Sequence, residues 1–126
     1  MKKLSTLHYH NITYLYTFME TLTITMLENN VAKIEYVLLS DPLQNFEVEL
    51  PATLVEKKLE RLCIDRWKRR YQPELIVCDG ESWEVKMVFA DGSKKVCRGE
   101  NEYPDCWEDF KDIISWARKL NEMPIL

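Results

Sequence analysis

From Ile12 to Met26 apolar and hydroxyl-bearing residues alternate. Ile12, Tyr14, Tyr16 and Phe18 share one parity, and Leu22, Ile24 and Met26 face away from Thr21, Thr23 and Thr25. A period of two marks extended chain with one side on a core, so the segment reads as one long bent strand or two short ones. Glu28-Asn29-Asn30 supplies a turn, since asparagine tolerates left-handed backbone angles. Val31 to Leu39 then reads as the returning strand, ended by Asp41-Pro42. Gln44 to Leu50 sets Phe46, Val48 and Leu50 opposite Glu47 and Glu49, the pattern of a half-buried antiparallel strand.

The period changes after Pro51. Val55, Leu59, Leu62, Cys63, Trp67 and Tyr71 recur at steps of three and four, which predicts one helix running to about Arg70 and stopping before Pro73. Three short extended segments follow, Leu75 to Cys78, Trp83 to Phe89 and Lys94 to Arg98, separated by Asp79-Gly80 and Asp91-Gly92. Asp-Gly favours the positive φ angles of tight hairpin turns, so these predict a three-stranded meander. A second helix is expected from Pro104, where proline suits a first turn, with Asp105, Glu108 and Asp109 at the positive end of its dipole. Trp107, Phe110, Ile113, Ile114, Ala117 and Leu120 form its apolar stripe, and Pro124 lies beyond its end.

The predicted fold is α+β: antiparallel β-meanders with two amphipathic helices packed on the sheet, in the order βββ-α-βββ-α, as one domain over residues 1–126. Each helix follows a glutamate, an apolar or aromatic residue and a proline, Glu49-Leu50-Pro51 and Glu102-Tyr103-Pro104, which hints at a duplication of about 12–71 and 74–121.

With 126 residues, 46% hydrophobic and 30% charged, the chain has the composition of a folded domain. Its net charge of -4 argues against a surface that is uniformly a trap for nucleic acid or anionic lipid. Met1-Lys2-Lys3-Leu4 begins like an export signal, but Ser5, Thr6, His8, His10 and Asn11 interrupt the apolar run, so a cytoplasmic location without membrane association is expected. Cys63, Cys78, Cys97 and Cys106 form no Cys-x-x-Cys pair and read as reduced thiols.

Asp79-Gly80-Glu81-Ser82-Trp83, Asp91-Gly92, Gly99-Glu100-Asn101-Glu102-Tyr103-Pro104, Trp107 and Phe110 occur in a recognisable order. The pattern resembles a DG-x-x-W, then G-x-N-x-YP-x-x-W signature of small uncharacterised bacterial proteins. It covers roughly the last third of the chain. The resemblance implies a fold-bearing element and brings no catalytic residues. On physical grounds Gly80 and Gly92 would serve turns, Gly99 would leave its strand with positive φ, and Asn101 would cap the helix opened by Pro104. Trp83, Trp107 and Phe110 would seal that helix onto the strands. The Gly99 to Tyr103 loop is alternatively a recognition loop.

Two charged poles are the main candidate surfaces. Lys57, Lys58, Arg61, Arg66, Lys68, Arg69 and Arg70 outnumber Glu56, Glu60 and Asp65, giving that stretch a net +4 and leaving -8 on the rest of the chain. With Trp67 interleaved, such a helix would suit single-stranded nucleic acid, by stacking and phosphate contacts, or an acidic protein. Asn101, Glu102, Tyr103, Asp105 and Glu108, with Glu100, Asp109 and Asp112 nearby, form an acidic pole of the kind that inhibitors and immunity proteins present to basic partners. Both poles are equally explained as solvated faces matched to helix dipoles.

His8 and His10 share a parity but have no third metal ligand at suitable spacing, and a frayed N-terminus accounts for them. Cys106, expected in the first turn of the last helix, is the best candidate nucleophile, although Asp105 and Glu108 oppose a thiolate there. No nucleotide loop, nucleophile elbow or zincin helix is present. The leading expectation is therefore a non-catalytic binding or regulatory protein, immunity-like or inhibitor-like, that meets a protein partner or a second copy of itself, with no cofactor or metal. A nucleic-acid-binding module on residues 57–70 and a thiol enzyme centred on Cys106 are the alternatives.

Overall fold

In the computed structural model, which describes residues 2–13, 19–72 and 80–122, the period-two segments become one seven-stranded sheet. The strands are β1 (Leu4–Thr13), β2 (Met19–Leu27), β3 (Val31–Leu38), β4 (Phe46–Pro51), β5 (Arg70–Tyr71), β6 (Glu81–Phe89) and β7 (Lys94–Glu100), with helix α1 (Ala52–Glu60) between β4 and β5 and helix α2 (Trp107–Glu122) after β7. Across the sheet the order is β4-β3-β2-β1-β6-β7-β5. All pairs are antiparallel except β5 with β7.

The α+β class stands, but four strands precede the first helix. The additional strand is β1, the segment assigned to fraying, and it lies at the middle of the sheet between β2 and β6. Its pattern was hidden by a register shift between Leu4 and Thr6. A bulge inserts one residue and flips the parity behind it, so Leu4 and Leu7, three apart, both enter the core with Tyr9. Of the long alternating segment, Tyr14, Tyr16 and Phe18 lie outside the described residues, while the Leu22 to Met26 part is β2.

The first helix is shorter than its periodicity predicts. α1 ends at Glu60, Cys63 takes a left-handed conformation with φ 50° and ψ 42°, and a single 3₁₀ turn covers Ile64–Arg66. Leu59, Leu62, Ile64 and Trp67 are all buried, so the three-and-four spacing survives a corner that an unbroken helix would not contain. The Trp67 indole N–H donates to the Leu62 carbonyl at 3.3 Å, closing that corner. Residues 57–70 are therefore a helix end, a corner and an edge strand.

The Asp91-Gly92 hairpin forms as expected, with Gly92 at φ 86° and the Asp91 carboxylate accepting the Ser93 amide at 2.8 Å. The predicted strand from Leu75 to Cys78 lies outside the described residues. β6 has β1 and β7 as its two neighbours, and the outer neighbour of β7 is β5.

α2 begins at Trp107, three residues later than Pro104 predicts. Pro104 is buried, and Cys106 at φ 66° turns the chain into the helix, where the Phe110 amide donates to the Cys106 carbonyl at 2.9 Å. The helix then crosses the sheet: Trp107 meets Tyr9 of β1 and Trp83 of β6, and Arg118 stands over the Tyr36 and Phe46 rings of β3 and β4. Lys58 of α1 lies over the Trp116 ring of α2, so both helices occupy one side of the sheet. No helix among the described residues is long and apolar enough to cross a membrane.

Candidate functional site

The site is assembled around the end of β7. Asn101, at φ 55°, does not cap a helix. Its Oδ1 accepts the Glu81 amide at 2.8 Å and its own amide donates to the Glu81 carbonyl at 2.9 Å, pinning the start of β6. Gly99 is not at positive φ; it is needed because a Cβ there would strike the Trp83 indole nitrogen and, at 2.6 Å, the Glu102 carbonyl. That same carbonyl accepts the Trp83 indole N–H at 2.8 Å. Tyr103 thereby stacks on Trp83, with ring planes 16° apart, and sits 5.2 Å from the Trp107 centroid. Trp83 and Trp107 are 4.5 Å apart, and Trp67 meets both of them and Phe110. The expectation that Trp83, Trp107 and Phe110 seal α2 onto the strands holds, with Trp67 added.

This aromatic cluster lies beside a cleft of about 480 Å³. One wall is the corner after α1 with Cys63, Arg66, Trp67, Lys68 and Tyr71; the other is Tyr103, Pro104, Asp105 and Cys106. The Tyr71 hydroxyl accepts the Lys68 amide at 2.7 Å and fixes the first wall. Tyr103 remains 38% exposed, and its hydroxyl pKa is raised by partial burial and then by Glu81. Two non-glycine residues with left-handed backbone, Cys63 and Cys106, line the same cleft, and both are exposed.

The tertiary structure brings Arg66, Trp67 and Lys68 of the basic pole together with Tyr103 and Asp105 of the acidic pole. It does not bring the others there. Arg61 lines a separate cavity between the helices with Lys58, Asp109 and Asp112. Arg69 and Arg70 lie at the sheet edge, where the Arg69 carbonyl accepts the Arg98 amide at 2.9 Å. Asn101 and Glu102 contribute the structural bonds above, and Glu108 is an exposed residue of the first turn of α2. Trp67 is only 5% exposed, its ring committed to the core, so it offers no open face for a base to stack on.

A second polar constellation was not anticipated. Glu20 on β2 is 4% exposed, and its carboxylate accepts the hydroxyls of Tyr9 at 3.0 Å and Tyr36 at 2.7 Å and a hydrogen bond from the Lys111 ammonium of α2. Its backbone amide donates to Asn11 Oδ1 at 3.0 Å. Burial first, and the Glu20 carboxylate with it, pushes the pKa values of Tyr9 and Tyr36 well above that of an ordinary phenol. The signal was present in the sequence: Glu20 shares the parity of Leu22 and Ile24, so a carboxylate sits at a core-facing position. Such a group stays only if it is paired and hydrogen-bonded.

His8 and His10 occupy the other face of the sheet, their ring centroids 5.9 Å apart, and His8 Nδ1 lies 2.9 Å from the Thr23 hydroxyl. Between them, Tyr9 points to the helix side and meets Trp107 and Phe110. The sheet therefore stands between both histidines and Cys106. Among the described residues no group of three or more His, Cys, Asp and Glu is placed to hold a metal ion. Comparison of the chain with protein-family models, with curated proteins and with solved structures finds no match.

Proposed function

We propose that the chain is a non-catalytic binding protein, of regulatory or inhibitor type, that seats a segment of a protein partner in the cleft between Cys63–Lys68 and Tyr103–Cys106. One observation carries this reading: Arg66 and Lys68 on one wall and Asp105 on the other line a cavity that also contains the exposed part of Tyr103. A protein segment carries both signs of charge and apolar side chains, which matches such a cleft. A nucleic-acid strand carries one sign and is held by cations together with stacking on open aromatic faces, whereas Trp67 is buried and Asp105 lines the same cleft. Tyrosine and arginine are enriched in binding hot spots, and Lys68 and Asp105 would belong to the polar rim around them.

The test is affinity capture from the native host's lysate, with and without nuclease, using the wild-type chain, Arg66→Glu/Lys68→Glu and Tyr103→Ala, with Lys86→Ala on the opposite face as control. A protein held by the wild type and the control, lost from both cleft variants and indifferent to nuclease supports the proposal. Material that disappears on nuclease treatment would favour the nucleic-acid alternative, and capture unaffected by the cleft variants would refute the assignment of the site.

A further inference from the structure

On the face of the sheet away from the helices, the registers of four neighbouring strands place one histidine and three charged side chains in one row. His10 on β1 is opposite Glu84 on β6, Glu84 is opposite Arg98 on β7, and Arg98 is opposite Arg70 on β5. The row lines a cavity of about 260 Å³ to which Ser82, Gln72 and Glu100 also contribute. The volume lies just below the range of ordinary ligand pockets, about 300–1,000 Å³, so only a small ligand fits.

Arg98 donates its Nε–H to Glu84 Oε2 at 2.7 Å. That bond orients the guanidinium plane and leaves its two terminal amino groups as a fork, the edge with which arginine meets an oxyanion. Arg70 lies directly across from it, on a strand about 4.8 Å away, and like charges facing each other on neighbouring strands repel. An anion between them relieves the repulsion, provided that its oxygens reach donors on both strands. One fork saturates the two oxygens of a planar carboxylate. A tetrahedral phosphoryl group has a further oxygen for Arg70 or the Ser82 hydroxyl. Glu84 is engaged with Arg98, and Glu100 opposes an anion while Lys86, two residues from Glu84 on the same face, favours one.

From this geometry we propose that the His10–Glu84–Arg98–Arg70 row is a binding site for a phosphoryl group carried by a small molecule. The row lies on the opposite face of the sheet from the cleft, and Tyr71 of the short strand β5 lines both cavities.

The experiment titrates the full chain with inorganic phosphate, glycerol 3-phosphate and acetate at constant ionic strength, followed by amide chemical shifts and calorimetry. Saturable shifts at residues 70, 82–84 and 98 are expected with the phosphates. Arg98→Lys keeps the charge and removes the fork, and is expected to weaken binding tenfold or more; Arg70→Gln is expected to weaken it several-fold. Glycerol 3-phosphate binding more tightly than inorganic phosphate supports a phosphate monoester as the ligand. The reverse order would overturn the small-molecule part of the proposal. Shifts that do not saturate, acetate binding as tightly as phosphate, or wild-type affinity in Arg98→Lys would overturn the site.

Discussion

Replacing Glu20 by alanine removes the acceptor shared by two buried phenols and an ammonium. In the native chain the Glu20 side chain is 6% exposed and that of Lys111 28%, so the pair is buried at the carboxylate end and reaches solvent at the ammonium end. A buried donor left without its acceptor costs about 1–3 kcal/mol, because it has lost both water and partner. Glu20→Ala leaves the hydroxyls of Tyr9 and Tyr36 without their acceptor, and about 4 kcal/mol is the expected loss. For a domain of this size that lowers Tm by roughly 12–20 °C. Lys111→Met is expected to cost less, about 1–3 kcal/mol, because the two phenols still serve the carboxylate and the ammonium was partly hydrated. The assay is urea unfolding followed by tryptophan fluorescence and circular dichroism for both single variants and the double variant. A coupling energy of about 1–3 kcal/mol in the cycle is expected for residues in direct contact. Glu20→Ala costing under about 1 kcal/mol, or Lys111→Met costing more than Glu20→Ala, would refute the view that the carboxylate organises this network.

Three further outcomes follow from local geometry. Tyr9 and Tyr36 have pKa values raised above 10.0 in the folded chain, so above about pH 10 the unfolded state releases protons that the folded state keeps. Stability is then full below pH 10 and should fall by about 1.4 kcal/mol per pH unit for each tyrosine, checked by alkaline unfolding alongside phenolate absorbance; a flat profile to pH 12 contradicts it. Gly99→Ala is expected to destabilise by about 1–3 kcal/mol, because the new Cβ meets the Trp83 ring and a backbone carbonyl, and a change in tryptophan emission should accompany the shift in unfolding midpoint. An alkylating reagent should modify the exposed Cys63 and Cys106 and spare the buried Cys97, whose thiol pKa is raised by burial; peptide mapping reads this, and bulky adducts on the first two are expected to block partner capture by filling the cleft.

Much of the architecture was legible because it rests on local rules. The period of two in Leu22 to Met26 and Phe46 to Leu50, the Asp91-Gly92 turn and the apolar stripe from Trp107 to Leu120 each require only the pleat, the φ preference of glycine or the pitch of a helix. What these rules missed were places where the chain changes phase. At β1 the register shift after Leu4 reverses parity, so Leu4 and Leu7, three apart, show no period of two although both are buried. At Cys63 a left-handed residue and one 3₁₀ turn keep Leu59, Leu62 and Trp67 on the core, so a corner carried the spacing of a helix.

The candidate surfaces show the same division. Composition and spacing alone determined which residue types were on hand: a cationic stretch ending at Arg70, an acidic stretch around Asp105, and aromatic residues beside both. Only tertiary structure decided that Arg66, Lys68, Tyr103 and Asp105 line one cleft, that Trp67 is withdrawn into the core, and that His10, Glu84, Arg98 and Arg70 form a row across four strands. Strand order and register are set by long-range pairing, which no local pattern encodes. The corner at Cys63 was enough to divide the basic stretch between the cleft, the space between the helices and the sheet edge.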